Sequence, residues 1–173
     1  MNTVIDSMMK RRSCKSYRPD PVPQELIDEI IETGLYAANW MGRQMPVILA
    51  VTDPETRNTL SRLNAKYDPL KRPDPFYGAP VILCVLAPKS DPAAVEDGSL
   101  VLGNLMLAAH SLGIGSCWIH RARPVFEDAE GLEVLRRAGL DDSYTGIGHC
   151  AIGYPAKTTD RIIPRKENRV FRL

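Results

Sequence analysis

An α+β or α/β sandwich, with helices packed against a sheet, is the fold class the sequence predicts. Three observations carry it. The chain has 173 residues, a length that suits one domain burying about 70% of its unfolded surface. It is 44% hydrophobic, with 22 Lys+Arg against 21 Asp+Glu, too apolar and too nearly neutral for disorder. Its patterning places helical segments between short apolar runs, in the order helix–helix–strand–helix–strand–helix–strand–helix–strand. A single domain over residues 1–173 is expected.

Each element has its own signal. Thr3 to Arg11 sets Val4, Ile5, Met8 and Met9 on one face at helical spacing. Pro19-Asp20-Pro21-Val22-Pro23 breaks the chain, and its last proline suits the first turn of a second helix running to about Ala38. That helix turns Leu26, Ile27, Ile30, Ile31 and Leu35 inward. Val47 to Thr52 is an apolar run of strand length, and Asp53-Pro54 then opens a helix with a capping carboxylate and a first-position proline. Lys66 to Gly78 holds three prolines and reads as a loop. Ala79 to Ala87 is apolar on both faces, as a central strand must be.

Val95 to Leu112 is a helix with little polar face, which implies protein on most sides; a subunit interface supplies that in a small domain. Gly113-Ile114-Gly115 reads as its C-cap and turn. Ser116 to His120 and Ile147 to Gly153 are two further strands, with a helix from Glu127 to Ala138 between them.

Composition excludes several classes. No uninterrupted run approaches the roughly 20 apolar residues of a membrane span. The first ten residues carry Asp6 and lack the apolar core of a secretory leader. Cys14, Cys84, Cys117 and Cys150 lie far apart with no CxxC, as expected of reduced thiols in a cytoplasmic protein. Charge is uneven. Residues 1–20 and 157–173 hold 11 of the 22 basic residues, Arg161 among them, and only four acids, while the middle of the chain is net acidic. Either both ends are solvated, or they meet something anionic where they come together.

Nucleophilic and metal chemistry find little support. Ser7, Ser13 and Ser116 lack a GxSxG elbow, and no histidine has a distinctive spacing to a serine or cysteine. Cys117 and His120 are three apart on a strand, so their side chains leave opposite faces. A metal site from Cys117, His120, His149 and Cys150 would need cross-strand pairing, so no metal is expected. Buried core positions are the plain reading of Cys84, Cys117 and Cys150. Neither GxxxxGK[ST] nor a strand-to-helix GxGxxG is present, so a bound phosphate must be held by side chains. Arg11-Arg12-Ser13-Cys14-Lys15 offers two guanidiniums, a hydroxyl and an ammonium for that purpose.

At this point the sequence resembles the FMN-dependent nitroreductases, over essentially the whole chain. The opening RRSxKxY and the proline-led helix after it are similar to that family's phosphate-binding start. Ala37 to Pro46 resembles its segment before the first strand. Glu96-Asp97-Gly98 through Ile119 resembles the long central helix and the strand that follows. Gly148 to Pro155 and Pro164-Arg165-Lys166 resemble the closing motifs. The five pieces stand in the family's order.

The resemblance implies a nitroreductase-like fold, a central, mostly antiparallel sheet flanked by helices, in a homodimer. It implies that Arg11, Arg12 and Ser13, with Arg165 and Lys166, bind the FMN phosphate, while Lys15 approaches the ribityl chain or the pyrimidine edge. Arg43 and Gln44 would contact that edge, and Ala37, Ala38 and Asn39 would reach the flavin across the dimer interface. The backbone of Trp118, Ile119, His120 and Arg121 would lie along the ring with one amide facing N5. Gly42 and Met45-Pro46-Val47 depart from the family pattern, and the 66–78 loop lacks its usual helical excursion.

The activity so implied is that of an NAD(P)H-dependent flavoprotein oxidoreductase. NADH or NADPH delivers a hydride to flavin N5, leaves, and is replaced by a nitroaromatic, quinone or similar acceptor. Lys15 and Arg43 are candidates to stabilise the reduced flavin, although Arg43 also reads as a surface ion-pair residue. No catalytic side chain is required. Trp118 reads as a core-filling strand residue that also packs near the flavin, and His120 as a residue of the pocket mouth or the surface. Two rivals are a flavin storage or sensing protein without turnover, and a binding module for an anionic partner. Sparse aromatics and an acidic middle argue against nucleic acid, and no membrane partner is expected.

Overall fold

In the computed structural model, which describes residues 2–157 and 163–173, the chain begins with α1 (Thr3–Lys10) and α2 (Gln24–Leu35). A short 3-10 turn (Trp40–Gly42) leads into β1 (Val47–Val51), α3 (Pro54–Lys66) and β2 (Val81–Pro88). Then come α4 (Ala94–Ser111), β3 (Gly115–Ile119), α5 (Ala122–Glu127), α6 (Ala129–Arg137) and β4 (Tyr144–Gly153). The strands form one antiparallel sheet in the order β1-β2-β4-β3.

The alternation of β2 decides the layers. Ile82, Cys84 and Leu86 face α3, α5 and α6 through Leu60, Leu63, Val125, Phe126 and Leu135. Val81, Leu83 and Val85 face α2 and α4 through Ile27, Ile30, Val101, Leu102 and Leu105. Both faces of β2 are therefore dry, as its unbroken apolar run requires. Between Val85 and Leu86 the register with β4 slips by one residue. The local signals hold where expected: the Asp53 carboxylate accepts the Thr56 N–H at 2.8 Å and Pro54 opens α3.

Three expectations need correction, for the 127–138 helix, Leu35 and Trp118, and two helices, α1 and α4, keep apolar residues open in the single chain. The helix read as Glu127 to Ala138 is two, because Asp128 is extended and caps a new helix by accepting the Glu130 N–H at 3.2 Å. The apolar face of α1 is not covered: Met8 and Met9 are 59% and 61% exposed. On α2, Leu35 is exposed, and α4 is buried on its sheet side while Val95 and Leu100 remain open. Trp118 is not a core residue. It stands on edge strand β3 and is 47% exposed. Among the described residues, no helix is long and apolar enough to cross a membrane.

Candidate active site

Residues Arg11 to Arg18 leave α1 as an extended segment along the outer edge of β3. Ser13 bridges Ser116 in parallel, and the Cys14 N–H donates to the Ser116 carbonyl at 2.8 Å. Further on, the Arg18 N–H donates to the Tyr154 carbonyl at 2.9 Å and the Ala156 N–H to the Ser16 carbonyl at 2.9 Å. The Tyr17 hydroxyl lies 3.0 Å from the Cys14 carbonyl and 3.1 Å from that of Ala151, and burial pushes its pKa up. The basic head of the chain is thus anchored to the sheet at both ends.

Between this segment, the C-terminal end of α4 and Pro155 lies a cleft of about 740 Å³. Lys10, Arg12, Lys15, Lys157 and His110 contribute to its lining, and among the described residues no Asp or Glu does, although Asp6 pairs with Lys10 at 2.8 Å. The helix end facing it is closed internally. Gly113, at φ 74, donates its N–H to the His110 carbonyl at 3.1 Å, and the Ile114 N–H reaches the Ala109 carbonyl at 2.8 Å. Carbonyls so engaged turn less negative potential on the cleft.

The guanidiniums complete the picture. Arg12 Nη1 donates to the carbonyls of Met9 and Arg11, each at 2.7 Å, which folds it over the end of α1. Arg11 Nη1 is buried and has no hydrogen-bond partner among the described residues. Arg12 lines the cleft beside His110, whose pKa is pressed below its usual value by burial and then by the charges of Arg11 and Arg12. A buried, unpaired guanidinium N–H is costly, and Arg11 directly precedes Arg12 and Ser13, two residues of a concavity that gathers cations and that no Asp or Glu lines among the described residues. Such an arrangement suits a small dianion.

The other predicted residues form separate groups within one chain. Trp40 donates its N–H to both Asp97 oxygens at 3.0 Å, which ties the 37–44 segment to the first half of α4. His110, at the cleft, is thirteen residues further on, about 20 Å along the helix axis. In that segment Asn39 Oδ1 accepts the Gln44 N–H at 2.8 Å, and Arg43 stacks 5.2 Å from the Trp40 ring. Ala37 is buried and Ala38 exposed. Of the basic residues at the far end, Lys157 lines the cleft. Arg165 and Lys166 line a separate hollow with Asn168, Arg169 and Val170, and Arg161 lies outside the described residues.

Trp118 and His120, both exposed, pack against one another with ring centroids 5.4 Å apart and planes tilted by 42°, while Ile119 points into the core. Arg121 turns its side chain inward rather than toward solvent, to Asn64 Oδ1 at 3.0 and 3.1 Å. Cys150 faces α2 and α4, whereas His149 lies under Phe76 and Phe126, so the two do not share a metal site. Among the described residues no group of three His, Cys, Asp or Glu is placed to hold a metal ion.

Asn64, Asp68 and Asp97 are functional-looking residues that sequence reasoning misses. All three are buried and hydrogen-bonded to loops distant in the chain or to charged partners, and no local spacing announces them.

Comparison with known proteins places this geometry. The family model described as "Nitroreductase family" matches residues 8–154. The FMN reductase [NAD(P)H] of Bacillus subtilis is 28% identical over 178 aligned positions, covering 90% of this chain and 67% of that protein. The NADPH-flavin oxidoreductase of Vibrio harveyi is 26% identical, with 90% of this chain and 67% of that protein covered. Among solved structures, a Bacteroides fragilis nitroreductase with bound FMN superposes with a TM-score of 0.89 at 26% identity over the whole of both chains. A Desulfitobacterium hafniense nitroreductase shares the fold at 23% identity, with a TM-score of 0.87. The chain belongs to the nitroreductase family.

Proposed function

We propose that this protein is an FMN-dependent NAD(P)H oxidoreductase that acts as a homodimer on small acceptors such as nitroaromatics and quinones. The observation that carries the reading is the cleft lined by Lys10, Arg12, Lys15 and Lys157 and by no Asp or Glu among the described residues, with the neighbouring Arg11 holding a buried Nη1 that has no partner among them. These residues fit the phosphate of FMN: Arg11 and Arg12 supply charged donors and Ser13 a hydroxyl, while Arg165 and Lys166, which line a separate hollow in the single chain, would join them only on closing over the bound group. Lys15 stands one step further along the segment, toward the ribityl chain or pyrimidine edge.

FMN, when bound, supplies the electron chemistry, accepting a hydride from NADH or NADPH and reducing the second substrate. The chain's part is to bind, orient and polarise. The backbone of Trp118–Arg121 is the stretch this reading lays along the flavin, and the cations of the cleft favour the reduced, anionic form. No protein acid is required, and protons come from water.

Two features support the dimer. The 37–44 segment and the cleft lie about 20 Å apart along α4, so Asn39, Arg43 and Gln44 complete a flavin site from a second copy. The open apolar residues of α1, α2 and α4 provide the surface for that copy. Turnover is tested by adding NADH or NADPH anaerobically to the purified protein. Bleaching of bound flavin, followed by its return on adding menadione or nitrofurazone, is the expected result. Flavin that neither nucleotide bleaches would instead make this a flavin storage or sensing protein.

A further inference from the structure

Arg121, between β3 and α5, has φ 76 and ψ 17, a left-handed conformation that a residue bearing a Cβ adopts only at a cost. Two buried side chains from α3 and the loop after it hold it there. Asn64, fully buried, donates Nδ2–H to the His120 carbonyl at 2.8 Å. Its Oδ1 accepts Arg121 Nε–H at 3.1 Å and Nη2–H at 3.0 Å. Asp68, also fully buried, lies 3.4 Å from Arg121 Nη1 and is itself fixed by Arg72 Nε at 2.6 Å and Nη2 at 3.1 Å. One amide therefore grips the turn on both sides of the His120–Arg121 peptide.

The backbone N–H groups of His120 and Arg121 find no acceptor among the described residues. Adjacent amides left free in a turn of this kind form a donor pair for an electron-rich atom. Glycine would adopt the same φ without strain, but would leave it as readily. An arginine clamped at three nitrogens is strained and held, which is what a fixed donor pair needs.

We propose that Asn64 and Asp68 are positioning residues. Acting through Arg121, they hold the turn after β3 in its left-handed conformation and so aim the free N–H groups of His120 and Arg121 at the bound flavin. The proposal rests on the reading of residues 118–121 as the flavin-facing backbone. Nothing in it requires Asn64 or Asp68 to touch the cofactor.

The test compares Arg121→Ala with Arg121→Gly in the FMN-bound protein. Both remove the contacts of the Arg121 side chain and leave Asn64 on the His120 carbonyl, but only alanine retains the steric penalty at positive φ. Flavin reduction by NAD(P)H in a single turnover, the visible absorption band and the midpoint potential of bound flavin are measured. Arg121→Ala is expected to reduce at a rate about tenfold or more below Arg121→Gly, with a displaced band and potential. Asn64→Ala should resemble Arg121→Ala, and adding Arg121→Gly to Asn64→Ala should recover rate, band and potential toward those of Arg121→Gly. Equal rates and spectra for Arg121→Ala and Arg121→Gly overturn the proposal, and this pair decides it even where Asn64→Ala does not fold. A native protein that binds no FMN fails earlier and overturns the flavin reading itself.

Discussion

The Cys84 thiol and His149 Nδ1 lie 3.3 Å apart in the middle of the sheet, and both side chains are fully buried. The imidazole stands edge-on to Phe76 at 5.3 Å and tilts against Phe126 at 5.8 Å, while its Nε2 has no partner among the described residues. Burial, reinforced by the charge of Arg121, lowers the His149 pKa to about 3, and burial alone pushes the Cys84 thiol up. Both groups are neutral at physiological pH.

That pair makes stability depend on pH. As pH falls below about 6.5, the unfolded chain protonates His149 while the folded protein does not. Its contribution is therefore complete above about pH 6.5 and is lost toward pH 3, at up to about 1.4 kcal/mol per pH unit. His110, also lowered by burial and by Arg11, adds a decline of the same sign. Urea unfolding between about pH 7 and pH 4 should show this slope, and His149→Leu should remove most of it. An unchanged slope in that variant contradicts the assignment.

Gly131 lies beneath α5. A Cβ there would stand 1.8 Å from the Val125 carbonyl oxygen and 2.8 Å from its carbon. Backbone atoms cannot swing aside as a side-chain end can, so α6 would have to leave α5. Gly131→Ala is expected to cost about 3 kcal/mol and lower Tm by roughly 6–12 °C in thermal unfolding. A Tm within about 2 °C of native would show that the two helices separate freely.

Much of this architecture is legible because its signals are local. Asp53 and Pro54 announce α3, and the unbroken run in β2 announces a central strand, since each depends on residues side by side. Trp118 misleads because a strand's apolar pattern does not say whether the strand lies at the edge, and β3 does. The break between α5 and α6 is set by the Asp128 cap rather than by periodicity. In the site, the cations of the head stand out through their clustering, but Asn64 and Arg121 are 57 positions apart and meet only through the fold. Nor does charge counting say that Lys157, rather than Arg165 or Lys166, lines the cleft in the chain alone.

The exposed face of α1 bears on assembly. Met8 and Met9 remain open beside α4, and their burial against a second copy would remove apolar surface worth about 25 cal/mol per Å². Light scattering should give about twice the chain mass of 19.2 kDa. Replacing both methionines by glutamate should shift the mass toward the monomer and release flavin with it. A native protein that runs as a monomer while fully loaded with flavin contradicts the two-chain site.

Phosphate binding divides between head and tail. Arg11→Ala should weaken FMN binding by about 1.5–3 kcal/mol, the worth of a charged hydrogen bond, or roughly 10- to 150-fold in Kd. Arg165→Ala should weaken it comparably if the tail closes on the cleft. Flavin fluorescence titrations of the two variants check these separately. Native affinity in Arg11→Ala removes the role given to its buried nitrogen, and native affinity in Arg165→Ala leaves the tail outside the site.

The most direct measurement is flavin content and affinity of the native protein. Its visible spectrum after purification, followed by titration of the stripped protein with FMN, should show a yellow preparation that rebinds one FMN per chain. A folded protein that is colourless as isolated, and leaves FMN fluorescence unquenched at saturating concentration, contradicts the account.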